Sequence, residues 1–143
     1  MDDASPHSPL TTGRNPRTRL RFPRLWQGVG WVMVVVVMWL SLTPHPPQPP
    51  SLLAWDKAQH LTAYAGLMFW FRQAFAPHWR WPAFLLGLGI TIELLQGFTG
   101  ARVADLFDIV ANGLGVAIGL ILAQSPLGRM LAAVDSWLAP GPA

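Results

Sequence analysis

Four stretches of mostly apolar sequence, each about as long as a bilayer is thick, constrain this chain more than any other feature. The hydrocarbon core of a membrane is about 30 Å across and is spanned by about 20 helical residues. Charged residues make up only 12% of the 143 residues, against about 25% in a typical soluble domain. The sequence therefore predicts an all-α integral membrane bundle of four transmembrane helices, at Leu25–Thr43, Ala58–Ala76, Trp81–Phe98 and Asp105–Gln124.

The first stretch, Leu25–Thr43, could instead be the apolar region of a secretory signal peptide. It is longer than such regions usually are, and residues 41–44 (Ser-Leu-Thr-Pro) offer no small-x-small cleavage pattern. We therefore interpret it as a membrane span. The proline-rich segment 43–50 that follows favours an extended polyproline II connector, which has no internal hydrogen bonds and so belongs outside the lipid.

Positive charges are distributed unevenly between the two predicted sides of the membrane. Five arginines lie before the first span, whereas only Lys57 and Arg102 fall on the opposite side. Because lysine and arginine concentrate in cytoplasmic segments, this bias predicts that the N-terminus and the C-terminus are both cytoplasmic. A basic tail can also bind nucleic acid, but beside a span it is better explained by topology and attraction to anionic lipid. We predict membrane lipids as partners and no nucleic acid.

The predicted spans divide the chain into three parts. Residues 1–24 are expected to form a disordered basic cytoplasmic tail, 25–124 the four-helix transmembrane domain, and 125–143 a short cytoplasmic interfacial tail. Within that last part, Leu127–Leu138 favours a short helix at the membrane interface. One side of this helix would carry Met130, Leu131, Val134, Trp137 and Leu138.

Small residues recur every four positions in two of the predicted helices. Ridges of this kind let helix backbones approach closely in lipid. Helices there associate through close van der Waals packing, because lipid provides no hydrophobic driving force between them. We therefore predict that both ridges face neighbouring helices. They are Ala83, Gly87 and Thr91 in helix three, and Ala111, Gly115, Gly119 and Ala123 in helix four.

Three groups of polar residues stand out because they lie inside or beside predicted spans. Helical spacing places Asp56, His60 and Tyr64 within about 80° of arc on helix two. It places Asp105, Asp108 and Asn112 within a similar arc on helix four. With alternating helix directions, all three groups fall at one depth, in the outer leaflet. We predict that they form one binding site: Asp56, Lys57, His60 and Tyr64 in helix two, Glu93 and Gln96 in helix three, and Arg102, Asp105, Asp108 and Asn112 at the start of helix four.

This set of side chains supports more than one chemistry. His60 could act as a general acid or base because imidazole titrates near neutral pH, and Glu93 could share a proton with it. His60, Glu93 and Asp108 are therefore the candidate catalytic residues. The carboxylates could instead bind a divalent cation together with His60, whereas Lys57 and Arg102 could hold a phosphate or carboxylate. No spacing is a specific metal signature, and we predict no cofactor.

The same residues also have a purely structural interpretation. Amide side chains would join helices by hydrogen bonds worth about 0.6 kcal/mol each in a membrane, and ion pairs would fasten the short helices together. The expected pairs are Arg102 with Asp105 or Asp108, and Lys57 with Asp56 or Glu93.

At these residues the chain resembles the VanZ-like family of bacterial membrane proteins. The resemblance covers roughly residues 40–124 and implies a small multi-pass protein of the bacterial cytoplasmic (inner) membrane. The namesake of the family is associated with resistance to the glycopeptide teicoplanin, which acts on cell-wall precursors outside the membrane. The pattern is, in order, Asp56-Lys57-x-x-His60 with Tyr64, then Glu93-x-x-Gln96, then Arg102, Asp108, Asn112 and Gly115.

The working hypothesis is an envelope protein, linked to glycopeptide resistance, whose outer-leaflet pocket engages a polar or anionic group. A lipid-linked cell-envelope precursor would carry such a group. Three alternatives stay open: a membrane enzyme acting on that group, a purely structural or accessory membrane protein, and a proton-coupled carrier. The carrier is the weakest, because in helices two to four only Arg72 could continue a path to the inner side.

Overall fold

The computed structural model describes residues 20–43, 56–99 and 105–138, and within these ranges the regular structure is helical, with no strand. This confirms the predicted all-α class, and each predicted span begins and ends within two residues of a helix in the structure. Residues 1–19 of the predicted tail and 44–50 of the proline-rich connector lie outside the described residues, whereas Pro23 and Arg24 of the predicted tail belong to the first helix. The elements are α1 (Pro23–Leu42), α2 (Asp56–Ala74), α3 (Arg80–Thr99), α4 (Leu106–Gln124), a 3₁₀ turn (Pro126–Arg129) and α5 (Met130–Leu138).

Local signals explain where these helices begin and end. Pro23 opens α1, where its missing N–H costs nothing because the first turn has no acceptor for it. Asp105 caps α4, and its Oδ1 accepts a hydrogen bond from the Phe107 N–H at 2.9 Å. Ser125 ends α4 in extended backbone, and Pro126 then opens the 3₁₀ turn. The chain therefore turns sharply between α4 and α5.

Three helices in the described part of the chain are long and apolar enough to cross a membrane: α1, α3 and α4. Only 17% of the apolar window of α1 is buried against protein, and Val32 and Val35 are each 62% exposed. Exposing apolar surface to water costs about 25 cal/mol of free energy for each Å². A helix with this much exposed apolar surface is therefore better suited to lipid than to water. α2 does not meet the same criterion, since it carries polar residues at both ends, including Lys57 and Arg72.

α2 and α4 form the most extensive helix pair, and glycines make their close approach possible. The Gly115 backbone packs against the Leu61 carbonyl, where an added Cβ would collide with the oxygen. A Cβ on Gly119 would lie 2.5 Å from the Ala65 carbonyl oxygen. The predicted small-residue ridge of α4 is therefore confirmed at these positions, and it sets the two backbones side by side.

The small-residue ridge predicted for α3 is wrong. Ala83, Gly87 and Thr91 are all exposed, and no atom of the described residues lies within 4 Å of the position that a Cβ on Gly87 would take. The Thr91 hydroxyl donates to the Gly87 carbonyl at 2.8 Å, so it needs no neighbouring helix. The rotation of α3 is instead explained by the cost of leaving ionisable groups in lipid, which favours burial of the side that carries Glu93 and Gln96.

Aromatic rings fill the space between α1, α2 and α3. The Trp31 ring packs edge-on against Phe71 and Phe84, with centroids 5.8 and 5.5 Å apart, and Phe75 lies 4.5 Å from Trp81. Such ring pairs each contribute about 0.5–1.5 kcal/mol beyond the burial of their area. These contacts hold α1 and α3 against the second half of α2. The first half of α2 carries the polar residues.

α5 folds back on the start of α1 through a carboxylate that the sequence patterns do not single out. Asp135 is 3% exposed and accepts hydrogen bonds from the Arg21 N–H, the Phe22 N–H at 3.1 Å and the Trp26 indole N–H at 2.6 Å. Burial raises the pKa of Asp135, but the Arg21, Trp26 and Phe22 donors outweigh it and hold the pKa below its ordinary value. Leu131 is buried beside it, whereas the rest of the predicted apolar side of α5 is exposed: Met130, Val134, Trp137 and Leu138.

Candidate functional site

Four helix ends meet at one end of the bundle. The Ser41 carbonyl near the end of α1 accepts a hydrogen bond from Gln96 near the end of α3, at 2.7 Å. The starts of α2 and α4 are joined by Lys57 and Asp105, at 2.6 Å. Consecutive helices therefore run in alternating directions, as predicted. We use "polar cluster" for the residues gathered here: Asp56, Lys57, His60, Tyr64, Glu93, Asp105, Asp108 and Asn112.

Lys57 fastens α2 to α4 within the polar cluster. Its Nζ donates to Asp105 Oδ2 at 2.6 Å and to Asp108 Oδ1 at 3.0 Å. The sequence suggested Asp56 or Glu93 as partners, and the structure differs because α2 and α4 start side by side. Asp105 also accepts a hydrogen bond from the Phe107 N–H, so two donors offset its charge.

The imidazole of His60 lies at the centre of the polar cluster. Its Nδ1 is 3.1 Å from Asn112 Oδ1 and 3.9 Å from Glu93 Oε1. Its Nε2 is 4.0 Å from Asp56 Oδ2 and 3.9 Å from Asp108 Oδ2. The ring is 8% exposed. One nitrogen therefore makes a hydrogen bond to an amide, and the other faces two carboxylates at more than hydrogen-bond length.

Two buried oxygen atoms of the polar cluster have no hydrogen-bond partner among the described residues: Glu93 Oε1 and Tyr64 OH. Both side chains are 2% exposed. The other carboxylate oxygen of Glu93 accepts from the Asp105 N–H at 3.4 Å. A buried polar group left without a partner costs about 1–3 kcal/mol. These two atoms are therefore the positions at which a water molecule or a ligand would gain most by binding.

Gly89 allows α3 to approach the polar cluster, and the sequence patterns missed it. A Cβ at this position would lie 2.8 Å from Asn112 Nδ2 and 3.2 Å from Tyr64 OH. The signal that could have identified it is its spacing, since Gly89 stands one helical turn before Glu93 and so shares its face. A glycine on the polar face of a span, rather than on a ridge of small residues, indicates close contact with side chains.

Two residues of the predicted site are not part of the polar cluster as defined above. Gln96 is 3% exposed and ties α3 to α1 through the Ser41 carbonyl. Arg102 lies outside the described residues, so its place in the site stays a prediction.

The polar cluster is rich in acid. Among its described members, Asp56, Glu93, Asp105 and Asp108 carry carboxyl groups, and Lys57 is the one lysine or arginine. Because charges are costly at membrane depth, this imbalance must be offset by protons, by a cation or by solvent. The arrangement can bind a positive ion, exchange protons through His60, or accept hydrogen bonds from a polar ligand.

Comparison with known proteins places the chain in one family. No curated protein and no solved structure matches it. Residues 20–127 match the VanZ/LLP1 family, a range that contains α1 to α4 and all the residues of the predicted site. This range is well over half of the 143 residues, and the chain therefore belongs to the VanZ/LLP1 family.

Proposed function

We propose that this protein is a multi-pass protein of the bacterial cytoplasmic membrane whose polar cluster opens towards the outer face. There it binds the polar or anionic group of an envelope lipid, such as a lipid-linked cell-wall precursor. The observation that carries the proposal is a pair of buried oxygens with no hydrogen-bond partner among the described residues, Glu93 Oε1 and Tyr64 OH, inside a cluster formed by three helices. These atoms suit a hydrogen-bonding group of the lipid, whereas an anionic group would also need Arg102 or a bound cation. The family resemblance supports the envelope setting and links the protein to glycopeptide resistance.

The proposal treats α2 as the fourth membrane span. With 19 residues it is about as long as a bilayer core at 1.5 Å per residue. Its low apolar content is explained by position, because neighbouring helices cover it on several sides and seven of its residues are buried. A helix shielded from lipid by protein needs fewer apolar side chains than α1 does.

The proposed topology has both termini in the cytoplasm, residues 1–24 as a basic tail and α5 at the inner interface. The exposed apolar residues of α5, including Trp137 at 82%, support an interfacial position. The chain has no cysteine, so single cysteines serve as clean probes. An impermeant thiol reagent added to intact cells should label Gln48→Cys and Thr99→Cys and spare His78→Cys. Labelling of His78→Cys alone would invert the topology.

Lipid binding is tested by native mass spectrometry of the full chain, comparing co-purified lipid in wild type and in variants of the polar cluster. Glu93→Gln and Asp108→Asn keep shape and remove charge, and we expect them to lose most of the bound lipid while the folded yield is preserved. Thr91→Val, on the exposed side of α3, is the matched control and should retain lipid. If both amide variants mainly lower the folded yield, the residues are structural and the binding proposal fails.

Arg102 tests whether the bound group is an anion. A planar anion held by two parallel hydrogen bonds needs a guanidinium, whereas a partner carboxylate within the protein would tolerate lysine as a point charge. We therefore expect Arg102→Lys to fold normally and to lose co-purified anionic lipid, as Arg102→Ala does. Equal lipid retention in wild type and both variants would exclude an anion held by Arg102.

A membrane enzyme is the second candidate function, and the position of His60 favours it. His60 Nδ1 and Glu93 Oε1 are 3.9 Å apart in a buried setting, and Asp108 faces the other ring nitrogen. These groups could exchange a proton with a bound substrate. Incubation of the purified protein with a lipid-linked precursor, followed by mass spectrometry of the lipid, separates the two candidates: an enzyme converts the lipid, whereas a binding protein returns it unchanged.

A further inference from the structure

We propose that Asp56, His60 and Asp108 bind a divalent transition-metal ion. Three electron-pair donors converge here: His60 Nε2, Asp56 Oδ2 and Asp108 Oδ2, all within 4.8 Å of one another. The nitrogen is 4.0 and 3.9 Å from the two oxygens. A point equidistant from three atoms with these separations lies roughly 2.3–2.5 Å from each, slightly more than a metal–ligand bond of about 2.0–2.2 Å. An ion there needs only small side-chain movements.

The hydrogen bond on the far side of the imidazole prepares Nε2 for this role. Asn112 Oδ1 is an acceptor and lies 3.1 Å from Nδ1, so Nδ1 carries the hydrogen of this bond and Nε2 is the nitrogen left to bind an ion. In the proposed site, Nε2 and the two carboxylate oxygens that it faces would all be ligands of the ion. A ligating histidine almost always donates its other N–H to a carbonyl or carboxylate in this way. Asn112 is therefore the orienting residue of the site.

Lys57 and Glu93 support the same site from two other directions. Lys57 binds Asp108 Oδ1, which leaves Asp108 Oδ2 turned towards His60. Glu93, 2% exposed and with an Oε1 that has no hydrogen-bond partner among the described residues, lies 3.9 Å from His60 Nδ1 on the opposite side of the ring. A divalent cation offsets an acidic cluster more effectively than Lys57 alone. The ion would enter past the Asp56 side chain, which is 40% exposed.

The donor set indicates the class of metal. Carboxylate oxygens suit Mg²⁺, Ca²⁺ and Mn²⁺, whereas imidazole suits zinc and the other first-row transition metals. One imidazole with two carboxylates therefore favours Mn²⁺ or Zn²⁺. Three protein ligands leave coordination positions open for an outside group. As a deepening of the proposed function, and resting on it, the open positions would take phosphate oxygens of the anionic lipid.

The metal site is tested on the full chain in detergent after chelation, by calorimetric titration with Mn²⁺ and separately with Zn²⁺. Wild type should bind one equivalent of at least one of them, and Asp56→Asn and His60→Gln should each weaken binding by about tenfold or more. Asp105→Asn removes a charge from the same cluster without removing a ligand, so its loss should be clearly smaller. Pulsed electron paramagnetic resonance of bound Mn²⁺ should show nitrogen coupling that His60→Gln abolishes.

Two results would overturn the metal proposal: no stoichiometric binding of either ion to wild type, or equal losses in Asp105→Asn and Asp56→Asn, which would indicate a diffuse acidic field. The link to lipid is tested by retention with and without chelator. Metal binding with no lipid retention in either condition would leave the metal site standing and reject the lipid proposal. Lipid retention that is unchanged by the chelator would leave lipid binding standing and reject the metal bridge.

Discussion

Buried carboxylates lie at both ends of this bundle, and the two ends treat them differently. At the α5 end, Asp135 accepts hydrogen bonds from the Arg21 N–H, the Phe22 N–H and the Trp26 indole. At the other end, the carboxylates of the polar cluster face one another and His60, and Glu93 Oε1 has no partner among the described residues. Asp135 is satisfied by donors at the start of α1. In the polar cluster, Glu93 Oε1 can still accept a hydrogen bond.

This difference separates structure from function better than burial does. Asp135 and Asp108 are 3% and 5% exposed, so burial alone would rank them together. Asp135 accepts hydrogen bonds from N–H groups at the start of α1, where a helix has no acceptors of its own. It thereby joins α1 to α5, and we interpret its role as structural. Asp108 has one oxygen bound by Lys57 and the other turned to a histidine at 3.9 Å. The surroundings of these carboxylates, which are other acids and His60 at the polar cluster and N–H donors at Asp135, therefore distinguish the two ends better than burial does.

The polar cluster depends on the close approach of α2 and α4, so a change that forces these two helices apart should destabilise it most. Gly115→Ala places a methyl group against the Leu61 carbonyl, which is backbone and cannot rotate away. We expect a loss of about 3 kcal/mol or more, at the upper end of the usual cost of overpacking. Thermal unfolding in detergent, followed by tryptophan fluorescence, measures it. Gly87→Ala is the matched control: it meets nothing within 4 Å and should leave stability equal or slightly higher.

A second prediction compares the two ends directly. Asp135→Asn replaces an acceptor with an NH₂ group that faces N–H donors, so the melting temperature should fall by several degrees. Glu93→Gln keeps the shape of a buried group whose Oε1 has no hydrogen-bond partner among the described residues, so the melting temperature should stay equal or rise. Both variants change a buried acid to its amide, and the unfolding curves are recorded side by side. If the two variants lower stability equally, the division into a structural and a functional end is wrong.

Hydrophobic length and spacing were enough to predict the helices of the structure. A span needs about 20 apolar residues whatever its partners are, so α1, α3 and α4 could be located from the sequence. The convergence of the polar cluster also followed from spacing, because His60 and Asp108 each lie on the packing face of a helix whose direction was predicted. These inferences depend on local periodicity alone.

Pairings between helices could not be predicted in the same way. Lys57 was expected to pair with Asp56 or Glu93, but its partners depend on the parallel contact of α2 with α4, which no local pattern encodes. The sequence also did not show which side of α3 is buried. Both the ridge of small residues and the side that carries Glu93 could have packed against the neighbouring helices. Asp135 was overlooked because a single acid in an amphipathic helix resembles a solvent-exposed residue until α1 is packed against it.

The smallest expected effect is a pH dependence at the structural end. The pKa of Asp135 in the folded protein lies below its ordinary value of 3.8, because the donors from α1 and the nearby Arg21 charge outweigh burial. A lowered pKa contributes stability that is fully present above the unfolded-state pKa and is lost as pH falls through the folded-state pKa. The melting temperatures of wild type and Asp135→Asn should therefore differ at about pH 6 and converge towards about pH 3. A difference that stays constant over this range would mean that the Asp135 charge contributes nothing, and that its contacts act through shape alone.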